Sequence, residues 1–495
     1  LRTWALWVRG LILALLSVSL VALFTEYAHA VTFAKTYGGT LNDYAFSVQQ
    51  TSDGGYIVAV RTVSFGAGWW DIFLIKTDAF GNVQWAKTYG GTSADWAFPV
   101  QQTSDGGYIV AGTTFSFGAG NYDAFLIKTD EFGNVQWAKT YGGTSADFAS
   151  SVQQTSDGGY IVAGETTSFS AGGDIFLIKT DASGNVQWAK TYGGIDSDFA
   201  SSVQQTSDGG YIVAGWTNTF GAGWGDIILI KIDANGNIQW AKTYGGTDYE
   251  EPYSVQQTSD GGYIVAGWTG SLVTGYFDII LIKTDADGNI QWAKTYGGTG
   301  DDIARSVQQT SDGGYIVAGG TWPSGNGDIL LIKTDASGNV QWAKTYGGTG
   351  NDWASSVQQT SDGGYIVAGE TFFGAGIYDA FLIKTDANGN IGSCGIVGNA
   401  SPTVNTPSVT VNTPSPTVTD HTSTLTVTTV TSPPLTITSP DLNIYAPCPL
   451  SDDNELGISE SCQPVSGIII PYKGGIKITK SGEFEVKVYN VSGVM

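Results

Sequence analysis

Between Val31 and Ile391 the chain alternates short apolar runs with small polar turns, and the same order of runs returns seven times. In the second copy the runs are Val100–Thr103, Tyr108–Gly112, Ala124–Thr129 and Val135–Tyr141. They are rich in Val, Ile, Phe, Tyr and Thr, side chains that suit a pleated, half-buried surface, so each is expected to be a strand. Asp105-Gly106-Gly107 between the first two is a tight-hairpin signal, because Gly accepts the positive φ such turns need. Asp130-Glu131-Phe132-Gly133-Asn134 reads as a longer hairpin loop with Gly in the left-handed position. The four runs are called a, b, c and d below.

The repeat is marked by Trp85, Trp137, Trp188, Trp240, Trp292 and Trp342, with Phe33 in the seventh place, at spacings of 50 to 52 residues. A Ser-Asp-Gly-Gly-Tyr block begins at Ser52, Ser104, Ser156, Ser207, Ser259, Ser311 and Ser361. Four antiparallel strands in a repeat of this length make one propeller blade. The expected fold is therefore all-β: a seven-bladed β-propeller of four-stranded antiparallel blades, with strand a lining the central channel and strand d outermost. The first run, Val31–Tyr37, is a d strand, whereas the last repeat stops after its c strand at Asp386. The N-terminal strand should thus complete the final blade and close the ring, which removes an exposed sheet edge at the seam.

Gly-Gly-Tyr-Ile-Val-Ala-Gly resembles the hairpin of kelch-like propellers, and Asp181-Ala-Ser-Gly184-Asn185-Val-Gln-Trp188 is similar to the tryptophan-docking motif of quinoprotein-type propellers. That resemblance covers the repeats and implies that Trp85, Trp137, Trp188, Trp240, Trp292 and Trp342 pack between blades. A quinoprotein would also carry a vicinal cysteine pair near its cofactor, and the repeats contain no cysteine. Propellers host many activities, so the likeness specifies fold rather than function.

Outside the ring, residues 1–30 read as a signal peptide. Arg2 and Arg9 form its positive start, Leu11 to Phe24 its apolar run, and Ala28-His29-Ala30 its small-residue cleavage pattern. The apolar run is short for a bilayer span, and none follows it, so a secreted or cell-surface protein without a membrane span after cleavage is expected. The propeller is assigned to residues 31–397. Residues 398–440, mostly Thr, Ser, Pro and Val, cannot bury a core and are expected to form an extended linker or stalk. Residues 441–495 alternate again and suggest a small, incomplete β domain. Cys448 and Cys462 are the natural disulfide pair, leaving Cys394 over, and Asn399 and Asn490 sit in glycosylation sequons.

Composition narrows the chemistry. A net charge of −23 argues against nucleic acid, whose phosphates require basic patches. The only histidines are His29 and His421, both outside the repeats, so the propeller lacks the commonest general base and the usual zinc ligands. No nucleophile elbow, phosphate loop or cofactor motif is present. Asp285, Asp287 and Asn289 resemble the start of a calcium loop, the one metal the sequence hints at. Most acids in turns are expected to bond local backbone instead, and the recurrent lysines such as Lys76 to pair with them.

The repeats differ most in the b–c loop. It varies in length and carries Trp69, Trp70, Tyr122, Trp224, Tyr276, Phe277, Trp322 and Tyr378. The leading reading is a monomeric propeller that acts as a binding or display module for an extracellular glycan or protein through this face, with those aromatics as ligand contacts. The alternatives are a structural surface-layer or adhesive component, and a polysaccharide-acting enzyme such as a lyase using Tyr with Arg61 or Arg305.

Overall fold

A computed structural model describes residues 31–448 apart from 274–275, 324, 373, 375, 393, 415–416, 422, 424–425, 430–435 and 439–442, together with the hairpin Ile468–Tyr472 and Gly475–Thr479. The expected signal peptide, Cys462, Asn490 and most of 441–495 lie outside the described residues.

The ring is a seven-bladed propeller. Blade 1 comprises strands Asp43–Gln50, Tyr56–Thr62, Asp71–Thr77 and Val83–Gly90, paired antiparallel in that order. Blades 2 to 6 repeat this over residues 95–142, 147–193, 198–245, 250–297 and 302–346. Blade 7 takes Trp353–Gln359, Tyr365–Thr371 and Asp379–Thr385 from the end of the repeats, and its d strand, Phe33–Gly38, from the beginning. Phe33 lies opposite Lys384 and Tyr37 opposite Ala380, which is the closure expected. Among the described residues no helix is long and apolar enough to cross a membrane.

The core lies between blades, because the b and c strands are buried on both faces. Along strand b of blade 2, Tyr108 and Val110 pack towards blade 1 while Ile109 and Ala111 pack towards blade 3. The Trp of each d strand leans on the next blade. A Cβ on Gly133 would sit 2.9 Å from the Trp85 ring, and Trp85 meets Tyr108 edge-on at 5.8 Å. Gly133 also has φ +74, so glycine is required there twice over. At the seam Phe33 occupies the same niche against Gly81 and Tyr56.

The invariant Val-Gln-Gln-Thr-Ser-Asp-Gly-Gly stretch closes the ring by hydrogen bonds. The first Gln of each blade accepts from the backbone N–H of the second Gln in the next, from Gln49 and Gln102 round to Gln358 and Gln50, at 2.5–2.6 Å. Each Ser N–H returns a bond at 2.8 Å to the neighbouring blade, as Ser52 does to Gln102. Lys76 and its six counterparts are buried and paired with Asp53 and its counterparts at 2.8–2.9 Å.

Three sequence expectations need correction. Strand a of blade 2 begins at Asp95 rather than Val100, because a bulge between Ala97 and Val100 lets the sheet continue past Pro99. The Thr/Ser/Pro segment is extended but does not project as a stalk. From Val397 to Cys448 it follows the rim of the ring and adds a fifth strand to every blade, since the outermost strands offer unpaired backbone groups that a Thr/Val-rich chain can satisfy. Finally, Cys394 is itself disulfide-bonded, so a Cys448–Cys462 pair that leaves it over is not what forms. Cys448 is the last residue of the rim segment, whose return to blade 7 brings its end back to the region where it began.

Candidate functional site

The bulge in strand a determines what faces the channel. In blade 1 it falls between Ala45 and Ser47, so Tyr44, Phe46 and Ser47 all line the mouth while Ala45 and Val48 are buried. The equivalent bulge recurs in the other blades. The result is a funnel of about 760 Å³ on the face of the b–c loops. Below it the channel narrows to the ring of Val and Gln side chains from Val48 and Gln49 round to Val357 and Gln358.

The funnel wall breaks the sevenfold symmetry that the rest of the ring keeps. From blade 5 through blades 6, 7 and 1 to blade 2 it carries Tyr253, Arg305, Trp353, Glu370, Tyr378, Tyr44, Phe46, Arg61 and Phe98. Across blades 3 and 4 it is mostly serine: Ser150, Ser151, Ser201 and Ser202, with Phe199. Arg61 and Arg305 are the only arginines after residue 30, and both stand here. The Arg61 guanidinium lies 4.3 Å from the Trp70 ring and 5.3 Å from Tyr44 and Phe46; that of Arg305 lies 3.9 Å from Tyr253 and 4.9 Å from Trp353. Such stacking fixes a guanidinium plane while leaving its N–H groups free to bond. The Nε atoms of Arg61 and Arg305 and the Ser201 hydroxyl are buried without a hydrogen-bond partner. Buried donors of this kind call for a partner from water or ligand.

Glu370 sits opposite Trp353 in blade 7. Burial pushes its carboxyl up to about 7, against the pull of Arg61 and Arg305. Glu251, facing Trp268, is also raised by burial, opposed by Tyr253 and Arg305. Burial raises the Tyr253 hydroxyl to about 12.

Of the aromatics predicted from the loops, Tyr378 lines the funnel and meets Tyr44 at 5.6 Å. Trp70, Tyr122, Phe277 and Trp322 form a collar just above, each against a strand aromatic: Tyr44, Trp96 with Phe148, Trp268 and Trp353 respectively. Trp69, Trp224 and Tyr276 stand in solvent, 81, 68 and 62% exposed. The expected calcium ligands have other work. Asp285 accepts from the Asp287 and Asn289 N–H groups and the Asn289 amide, a turn repeated where Ser or Phe replaces Asp287. Among the described residues no three His, Cys, Asp or Glu side chains converge as metal ligands. The acids opening strands a and c bond locally as well: Asp95 accepts from Gly91 and Ser116, and Asp123 from Ala119 and Gly120. Asn399 is exposed on the rim strand.

Sequence reading by loop length passes over the strand positions that shape the funnel. The residue after Ala-Gly in strand b (Ala59-Val60 in blade 1) is Arg61, Thr113, Glu165, Trp216, Trp268, Gly320 and Glu370 in the seven blades. The strand-a position of Phe46 is taken by Phe98, Ser150, Ser201, Tyr253, Arg305 and Ser355 in the other six blades. Aligning the repeats on one another, column by column, would single out both positions as variable, together with the strand-a column of Tyr44, Trp96, Phe148, Phe199, Glu251, Ile303 and Trp353.

Comparison with known proteins adds a context. Residues 23–266, just under half of the chain, are similar to the holdfast attachment protein D (HfaD) family. The regulatory protein FlaEY of Caulobacter vibrioides is 28% identical over 192 residues, which is 32% of this chain and 20% of that protein, so the chain spans about a fifth of the relative's length. Among solved structures, Sqt1 from Chaetomium thermophilum matches 69% of this chain and 83% of its own with a TM-score of 0.42 at 10% identity. A glucose dehydrogenase matches 72% of this chain and 99% of its own, with a TM-score of 0.37 at 9% identity. At these identities the resemblances say nothing about ligand.

Proposed function

We propose that this chain is a secreted or cell-surface attachment protein whose propeller holds an acidic glycan in the funnel of the b–c face. One observation carries the reading. In a chain of net charge −23, the only two arginines after residue 30 meet in one cavity, stacked on aromatic rings with buried donors free. Guanidinium groups recognise carboxylates and sulfates in fixed geometry, aromatic faces stack on sugar rings, and serine hydroxyls bond sugar hydroxyls. The similarity to the holdfast attachment protein D family supports the attachment context.

The full chain on an array of acidic and neutral glycans tests this. Acidic ligands should bind, and Arg61→Gln with Arg305→Gln should weaken them at least tenfold, with the melting temperature within a few degrees. Binding that is confined to neutral glycans, or that survives the double substitution, would overturn the assignment. A second reading, a polysaccharide lyase, is favoured by one feature: Glu370, pushed up to about 7, shares the wall with Tyr253 and Arg305. Glycan turnover, with new unsaturated ends, would establish that reading in place of binding alone.

A further inference from the structure

We propose that the outer edges of the seven blades are a ring of acceptor sites for an extended Thr-Val/Ile-polar peptide, and that residues 397–448 are their resident ligand. This rests on the rim of the molecule and is independent of the funnel.

In a propeller the d strand of each blade ends the sheet and leaves one row of N–H and C=O groups unpaired, an open template for strand addition. Here every d strand closes on the same sequence, Thr-Tyr-Gly. The rim segment meets each in the same register. Val397 lies opposite Tyr346, Val404 opposite Tyr296, Val411 opposite Tyr244 and Val418 opposite Tyr192. The backbone path continues with Val427 opposite Tyr141, Ile437 opposite Tyr89 and Ile444 opposite Tyr37. In all seven cases a β-branched aliphatic residue holds the register position opposite the buried Tyr. In five of them the residue before it is Thr, at the register position opposite the Gly: Thr403, Thr410, Thr417, Thr426 and Thr436.

The segment's own periodicity matches the ring. Val397, Val404, Val411 and Val418 are seven residues apart, as are Ile437 and Ile444, with steps of nine and ten residues between Val418, Val427 and Ile437, and each blade receives one triplet. A loose polar stalk would have no reason to keep this period. Side chains also hold it down. Val397, Ala400 and Val409 pack against three inter-blade cores, and His421 stacks on Phe169 at 4.8 Å. The Ala400 N–H donates to Ala343 and the His421 N–H to Ala189, the same position in two blades.

Because the seven acceptors are alike and the triplets are alike, recognition resides in the motif and not in any one blade. Each contact covers only three or four residues, and tethering in one chain makes the set collectively strong. The resident segment thereby denies seven aligned edges to other strands. A peptide of the same pattern, such as the rim segment of a second copy, is the partner that fits once an edge is vacated.

The experiment uses the full chain carrying Asn405→Pro, Asn412→Pro and Thr419→Pro, changes outside the propeller at positions whose N–H, like those of Ala400 and His421, points at the blade edge, so that each removes a ladder donor and blocks pairing. Hydrogen exchange reads the amides that face the rim segment, those of Thr191, Gly193, Thr243, Gly245, Thr295 and Gly297. A labelled synthetic peptide of residues 402–420 is the probe, with a control in which its three pattern valines are Asn. The expected result is slow exchange in the wild type, at least tenfold faster exchange in the variant, and saturable binding of the native peptide by the variant alone. Equal exchange in both proteins would show that the segment does not occupy these edges. Freed edges that bind neither peptide, or both alike, would show that they do not recognise the motif.

Discussion

Glu370 and the two arginines give the funnel a proton-dependent charge. With its carboxyl pushed up to about 7 by burial, Glu370 is neutral on the acid side of that value and negative above it. An anionic ligand held by Arg61 and Arg305 should therefore bind more tightly as pH falls through about 7, and Glu370→Gln should abolish that dependence while retaining the tight state. Titration of binding from pH 8 to pH 5 checks this; a steeper loss at low pH would contradict it. The same positions show what was legible at residue level. Loop length and loose aromatics point to Trp69 and Trp224, which stand in solvent, and the arginines Arg61 and Arg305 stand out in the sequence only as candidates for a lyase, whereas Tyr253 and Glu370 are strand residues inside columns that look ordinary in any one repeat. Their grouping depends on a bulge and on the curvature of the ring, neither of which a single repeat displays.

Among the elements, each d strand carries an aromatic side chain that docks on the next blade, and the seam is the most sensitive of these contacts. Phe33 is fully buried in the core between blades 7 and 1, while Trp85 in the equivalent place is partly exposed. Phe33→Ala should lower stability by about 3–5 kcal/mol, the usual range for deleting a buried aromatic, and more than Trp85→Ala does. Urea unfolding of the two variants measures the difference, and a smaller loss at the seam would contradict it. Asp53→Asn, by leaving the Lys76 ammonium buried with a weaker partner, should cost about 1–3 kcal/mol in the same assay. These strands and the closure were readable because period, turn glycines and phase all agree over seven copies. The rim strands were not, because three-residue triplets amid Thr, Ser and Pro have the composition of a stalk and become strands only where a blade edge pairs with them.

Across the whole molecule the carboxylates divide into two rings with opposite effects on stability. On the b–c face, burial pushes Asp71, Asp123, Asp174 and Asp278 from the ordinary 3.8 up to about 6, with Asp95, Asp147, Asp198 and Asp302 of the next blade adding repulsion. On the opposite face burial also opposes ionisation, but hydrogen bonds from Thr, Lys and backbone N–H outweigh it and hold Asp157, Asp208 and Asp312 at about 2. The raised group binds protons better folded than unfolded, so it adds stability as pH falls through about 6, in full below 3.8. The lowered group contributes above 3.8 and loses that contribution as pH falls towards 2. The melting temperature should therefore rise from pH 7.5 to a maximum near pH 4 and fall only below it. Loss of net negative charge acts in the same direction over that range, and salt separates the two causes, because screening weakens long-range repulsion between exposed charges far more than it weakens buried pairs. In high salt the rise should persist in the wild type and be reduced in Asp71→Asn with Asp123→Asn. A melting temperature that is flat or falling between pH 7.5 and pH 5 in high salt would show that the raised acids do not titrate as a ring.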